Sequence, residues 1–154
     1  MKAAFLEKFI RLVEWPVSAF SSDHAPLIIG ILGEDPFESY LPRVMRGKTI
    51  NKHPIQVLVC KTLEEANRTH LLFISPSEKN RLAEILPRLK SQGLLTVGDV
   101  EGFASSGGII NLYLEDQKIR FEINVDVARQ AGLEINAQLL QRAKVIHDSG
   151  SGRK

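Results

Sequence analysis

Two alternating runs, residues 109–115 and 118–124, are joined by nothing but Asp116-Gln117. A two-residue link can only reverse the chain, so the runs must pair as an antiparallel hairpin. The short link also sets the register. It places Glu115 opposite Lys118, Tyr113 opposite Arg120 and Asn111 opposite Glu122. On the other face Ile110 meets Ile123, Leu112 meets Phe121 and Leu114 meets Ile119. One face is wholly apolar and expected to be buried, while the other is polar with a tyrosine. A slip of one residue would invert every side chain, so the pattern itself protects the register.

The chain before the hairpin alternates helix and strand. Phe5, Leu6, Phe9, Ile10 and Val13 recur at helical spacing, with Glu7, Lys8, Arg11 and Glu14 opposite, which predicts a helix over 2–15 stopped by Pro16. Residues 27–32 form a continuous apolar run, the mark of a strand covered on both faces. A short helix over 35–45 and a turn at Arg46-Gly47-Lys48 follow. Apolar strands are expected at 55–60 and 70–75, with a helical stretch at 63–67 between them. Ser75-Pro76-Ser77-Glu78 reads as a helix start with a capping box, leading to Leu82, Ile85, Leu86 and Leu89 on one face. Pro87 should kink or divide that helix. A fourth short strand falls at 94–97. This order predicts an α/β fold, a mostly parallel open sheet flanked by helices with a C-terminal antiparallel hairpin. After the hairpin come a short helix at 125–131 closed by Gly132 and a last helix over 136–146. The chain of 154 residues is expected to form a single domain over 2–146, with 147–154 a flexible tail.

Charge and composition exclude several functions. A formal net charge of +2, with bases and acids interleaved, gives no footprint for nucleic acid. Cys60 is the only cysteine, so neither an internal disulfide nor a cysteine-based metal site can form. Within its apolar strand it reads as a small buried thiol. His24, His53, His70 and His147 have no ligand spacing, and neither a metal nor a cofactor is expected. No apolar stretch reaches the roughly 20 residues that span a bilayer. Met1-Lys2 runs straight into a helical pattern rather than a cleavable signal, which suits either a cytoplasmic protein or a mature domain lacking its leader.

Few motifs could carry chemistry. Arg46-Gly47-Lys48-Thr49 resembles the end of a phosphate loop, but Pro42 stands where a glycine is needed and the strand follows rather than precedes it. Gly30 and Gly33, followed by Glu34-Asp35, lie at a strand end where open α/β sheets bind ligands, without dinucleotide spacing. A receiver domain would need an aspartate at the end of the third strand, where this chain has Ser75. Glycines for close packing and acids for a helix start are the favoured account of the segment. Asn111 and Glu122, facing across the hairpin, are either ligand-binding groups or a structural hydrogen bond. Tyr113 over Arg120 is expected as a cation–π pair. Phe103 with Gly107-Gly108 reads as a short helix and turn feeding the hairpin, the two glycines implying unusual backbone angles. No Ser-His-Asp or Cys-His arrangement can be proposed from residue order.

The opening Ala3-Ala4-Phe5-Leu6-Glu7-Lys8-Phe9 through Glu14-Trp15-Pro16 resembles the start of mature YfiR-like domains. So do Gly30 and Gly33, Gly47-Lys48, and His70-Leu71-Leu72-Phe73-Ile74-Ser75. The likeness is most specific from Gly98-Asp99 through Gly107-Gly108-Ile109-Ile110-Asn111-Leu112. It continues into Arg120-Phe121-Glu122-Ile123-Asn124, Ala128, Ala131-Gly132-Leu133 and Leu139-Leu140. The resemblance implies a periplasmic protein whose leader is absent from this chain and which is not an enzyme. It would repress a membrane-bound diguanylate cyclase, lowering cyclic di-GMP and biofilm formation, or serve as the sensor domain of a histidine kinase. It also tilts the reading toward a homodimer. Members with several cysteines respond to redox through disulfides, a control that Cys60 alone cannot supply. A small molecule is expected near the strand ends, at Gly33, Glu34, Ser75 and Asp99, or on the hairpin at Asn111 and Glu122. A small enzyme using the strand-end cleft is the competing class; a neighbouring cyclase gene would favour repression, a kinase fusion sensing.

Overall fold

A computed structural model describes residues 2–37, 40–90 and 92–147. In chain order the elements are α1 (Lys2–Leu12), β1 (Val13–Glu14), β2 (Leu27–Leu32), α2 (Tyr40–Met45), β3 (Thr49–Ile50), β4 (His53–Cys60), α3 (Leu63–Ala66), β5 (Leu71–Ile74), α4 (Leu82–Ile85) and β6 (Leu95–Gly98). The hairpin strands β7 (Ile110–Glu115) and β8 (Lys118–Asn124) follow, then α5 (Val125–Gln130), β9 (Glu134–Ile135), α6 (Ala137–Gln141) and β10 (Lys144–Ile146). Eight strands form one sheet in the order β10-β8-β7-β6-β5-β2-β4-β3. The run from β4 through β2, β5 and β6 to β7 is parallel, and β7 with β8 is antiparallel.

Alternation along the central strands divides the core. Leu71 and Phe73 of β5 point into a large apolar layer with Leu6, Phe9 and Ile10 of α1 and Leu139 of α6. Leu72 and Ile74 point the other way, toward Ala66, Leu82, Ile85 and Phe103. Strand β5 is buried at every position, as a strand covered on both faces requires. Strand β4 departs from that expectation. Val59 is 46% exposed, because only the two-residue β3 lies beyond it. Helix α1 packs on its own sheet, with Phe5 and Phe9 set edge-on to Phe121 at 6.1 and 5.3 Å.

The hairpin register is the expected one at all six pairs, from Ile110 opposite Ile123 to Glu115 opposite Lys118. Asp116 and Gln117 both have positive φ, 53° and 65°, which is the backbone of a type I′ turn. Two details differ. The apolar face is buried only at its base, and Leu114 at the tip is 72% exposed. Arg120 reaches along the face to Glu115, Nε to Oε1 2.9 Å, instead of lying over Tyr113. A carboxylate attracts a guanidinium more strongly than a phenol ring does.

Four other expectations are corrected. The first helix ends at Leu12, not Trp15, because Val13 and Glu14 pair with Ile135 and Glu134, and Trp15 Nε1 donates to His70 O at 3.0 Å. Of the helix expected from Asp35, residues 35–37 are not helical, and the described helix is Tyr40–Met45. Asp35 Oδ1 accepts from Phe37 N at 2.8 Å, a local turn that competes with helix. The capping box does not close. Ser75 Oγ accepts from Ser77 N, but Glu78 is taken by Arg81 at 2.7 Å. The segment Pro76–Arg81 is 3₁₀, and beyond α4 the chain returns to 3₁₀ at Leu86–Arg88, around Pro87. The helix expected over 136–146 stops at Gln141, and Lys144–Ile146 becomes a strand parallel to β8. Without it the outer edge of β8 would offer unpaired backbone. The tail from Asp148 lies outside the described residues.

Candidate functional site

The six candidate residues fall into two groups. Gly33, Glu34 and Ser75 meet at the carboxyl ends of β2 and β5, where the chain has folded down over them. Glu34 N donates to Ser77 Oγ at 3.0 Å. Gly33 has φ +98°, and a Cβ there would lie 2.6 Å from Ser77 Oγ. Gly30 is equally tight, its Cβ position 2.5 Å from Thr69 Cγ2, so both glycines serve close approach. Glu34 itself remains exposed.

Asp99, Asn111 and Glu122 come together elsewhere, in a cleft of about 590 Å³. Strand β6 ends at Gly98, level with Asn111 of β7, so Asp99 stands beside Asn111 as the chain leaves the sheet. Asn111 Nδ2 donates to Glu122 Oε2 at 3.1 Å. Lys2, from the first turn of α1, pairs with Asp99 Oδ2. Lys144 of β10 is the register partner of Glu122. Val100 and Tyr113, the latter on the same hairpin face as Asn111, supply apolar surface. Reasoning from residue order missed Lys2 and Lys144. Lys144 was hidden by the helical reading of its segment, whereas Lys2 carried no signal short of the tertiary contact.

A second, larger cleft of about 740 Å³ lies at the opposite, amino ends of the strands, lined in part by Arg11, Trp15, Phe20, His53 and Asn136. Here Phe20 is stacked between two imidazoles, 3.8 Å from His53 and 4.5 Å from His70 between ring centroids. His70 Nδ1 accepts from Ile28 N at 2.9 Å, and Nε2 bonds Ala19 O at 2.9 Å. That pair of bonds demands the neutral ring with its proton on Nε2. Burial accordingly pushes the His70 pKa down, against the bond to Ala19, which raises it, and with smaller help from the charges of Lys90 and His53. These bonds and stacks give His70 a structural role. Cys60 is buried and its thiol pushed up to about 11, chiefly by burial, so it remains an inert thiol at neutral pH. Lys48, from the loop that resembled a phosphate binder, is bonded to Glu7 of α1 at 2.7 Å. That bond holds the Glu7 carboxyl below its ordinary range, burial opposing and Arg11 assisting. Among the described residues no cluster of His, Cys, Asp and Glu could hold a metal ion, and no helix is long and apolar enough to cross a membrane.

The architecture is that of an open α/β sheet, a class that commonly carries its sites where strands end. Within that class the chain belongs to the YfiR/HmsC-like family, whose pattern it matches over residues 1–144. That family is regulatory rather than catalytic, periplasmic, and concerned with cyclic di-GMP signalling. Among proteins of curated function none matches the chain. A solved structure that does match is an ABC domain in complex with L-Trp from Streptococcus pneumonia, with a TM-score of 0.53 and 11% identity. The match covers 84% of this chain and 58% of that one, so the chain spans little more than half of that structure's length. At such identity the likeness is one of fold alone.

Proposed function

We propose that this protein represses a membrane-bound diguanylate cyclase from the periplasm, lowering cyclic di-GMP and biofilm formation. Membership of the YfiR/HmsC-like family over residues 1–144 carries the reading. The protein acts by holding the cyclase in one state through a surface, and a small molecule bound at Asp99, Asn111 and Glu122 tunes that hold. Such a ligand changes the output only if it binds the engaged and free forms with different affinity. The position of the cleft supports this role, since Lys2 of α1, the loop after β6, the hairpin and β10 all contribute to it. Deleting the gene in the parent bacterium is expected to raise cyclic di-GMP, and restoring the exported protein to lower it again. Unchanged cyclic di-GMP, with the protein shown to be expressed and exported, removes the repressor and leaves the kinase-sensor reading.

We further propose that the repressor is a homodimer. Helix α1 is occupied by its own sheet, and the surface assigned to the dimer is the outer edge, where Val145 is 44% exposed and Leu114 72%. The register places both on the apolar face of the hairpin, Val145 beside Ile123 and Leu114 beside Ile119. Light scattering is expected to show a dimer that Leu114→Glu with Val145→Glu dissociates. A monomer at high protein concentration would count against it.

A further inference from the structure

The cleft beside the hairpin contains acceptors that its own side chains leave incomplete. The Asp99 side chain is 5% exposed and Asn111 2%. Lys2 engages Asp99 Oδ2, but Oδ1 meets no donor. Asn111 spends Nδ2 on Glu122, and its Oδ1 also meets no donor. Turning the amide over would set its oxygen against the Glu122 carboxylate, so the assignment is forced by chemistry. Buried acceptors without donors are rare and call for an occupant. Carboxylates outnumber cations around the cleft: Asp99, Glu101 and Glu122 stand against Lys2 and Lys144. The missing partner is therefore rich in N–H donors and positively charged. It also has an apolar side, because Val100 and Tyr113, the latter on the same hairpin face as Asn111, complete the walls.

We propose that the cleft binds a small monovalent organic cation, an ammonium or guanidinium head on a short apolar body. Its N–H groups reach Asp99 Oδ1 and Asn111 Oδ1, and its body lies along Val100 and Tyr113. The Lys2 side chain, 39% exposed, covers the Asp99 carboxylate when the cleft is empty and swings aside when the cation enters. Lys2 is thus an internal competitor for the site. The inference rests on the reading of this cleft as the ligand site and names the class of ligand.

The test is a titration of the full chain with n-butylguanidinium and n-butylamine, followed by NMR. N-butylurea serves as the neutral isostere. We expect saturable shifts at Asp99, Val100, the Asn111 side-chain amide and Glu122, with a Kd on the order of 1 mM or tighter for at least one of the two cations. N-butylurea should bind at least about tenfold more weakly, since it lacks the charge that strengthens each hydrogen bond. Asp99→Asn should weaken the cation about tenfold or more, and Lys2→Met should tighten it severalfold by removing the competitor. Saturable shifts absent for both cations, shifts spread over the surface, or equal binding of N-butylurea would overturn the proposal. So would undiminished binding by folded Asp99→Asn. If Asp99→Asn does not fold, Lys2→Met and Glu122→Gln decide, and the proposal fails if neither changes affinity. Binding in vitro is independent of cyclic di-GMP in cells. A failed titration leaves the repressor standing, and an unaltered deletion strain leaves the cation site standing.

Discussion

Gly108→Ala is expected to destabilise the protein by about 3 kcal/mol, the upper part of the range for overpacking a core. For a domain of this size that lowers Tm by about 10 °C. The Phe103 ring, fully buried, is clamped between two glycines. A Cβ on Gly108 would lie 2.6 Å from Phe103 Cζ, and one on Gly98 2.6 Å from Cδ1. Neither glycine has positive φ; that belongs to Gly107, at 114°. Gly108 is thus needed for space, and only Gly107 for its backbone angle, which divides the role expected of the pair. The ring has no slack, because Asn124 Nδ2 holds Ala104 O at 2.9 Å and Thr96 Oγ1 holds Ile109 N at 2.9 Å. Trimming the ring should restore part of the loss, so Gly108→Ala with Phe103→Leu should be less destabilised than the sum of the single variants by about 1 kcal/mol or more. Urea unfolding of the four proteins measures the coupling. Strict additivity would mean that ring and glycine do not meet. The same clamp fixes the loop that delivers Asp99, so Gly108→Ala should also disturb the cleft.

His70→Ala is expected to cost about 3 kcal/mol, since it strands the Ile28 N–H and the Ala19 carbonyl and removes one side of the Phe20 stack. The pH dependence has a definite sign. The folded pKa lies below the ordinary value of about 6.5, so the unfolded chain binds the additional proton first. The stabilisation is therefore fully present above about pH 6.5 and is lost as pH falls toward and through the lower folded value. Protonating Nδ1 turns the acceptor facing Ile28 N–H into a second donor. His70→Gln can keep one acceptor and one donor without titrating, so stability should fall less steeply in this variant than in the parent between about pH 6.5 and 5. Parallel slopes for the two proteins would show that His70 does not titrate against the fold.

Particular residues show why some of this was legible beforehand. The Asp116-Gln117 link leaves one geometric option, and so all six hairpin pairs, Asn111 with Glu122 among them, followed from spacing alone. The run Leu27–Leu32 and the buried β5 were legible because an apolar residue at every position suits only a strand between two layers. The segment 136–146 was misread for a related reason. Leu139, Leu140, Ala143 and Ile146 fit a helical period, but Asn136 caps only one short helix. The remainder is claimed by the vacant edge of β8, a demand that exists only once the sheet is built. Val13 and Trp15 left the first helix likewise, drawn off by Ile135 and His70 O.

Spacing and hydrophobic period by themselves determined the α/β class, the hairpin register, the buried Cys60 and the pairing of Asn111 with Glu122. These depend on neighbours along the chain or on which faces must leave water, and both are written in local order. Only the tertiary structure decided that Asp99 joins that pair while Gly33, Glu34 and Ser75 gather at another strand end. It alone brought Lys2 to Asp99, across 97 residues of sequence, and set Phe20 between His53 and His70. It alone showed that Gly98 and Gly108 make room for one ring. Such contacts arise from the order of strands in the sheet and the layers packed on it. Many sequence patterns satisfy the same local rules, and close packing in three dimensions selects among them.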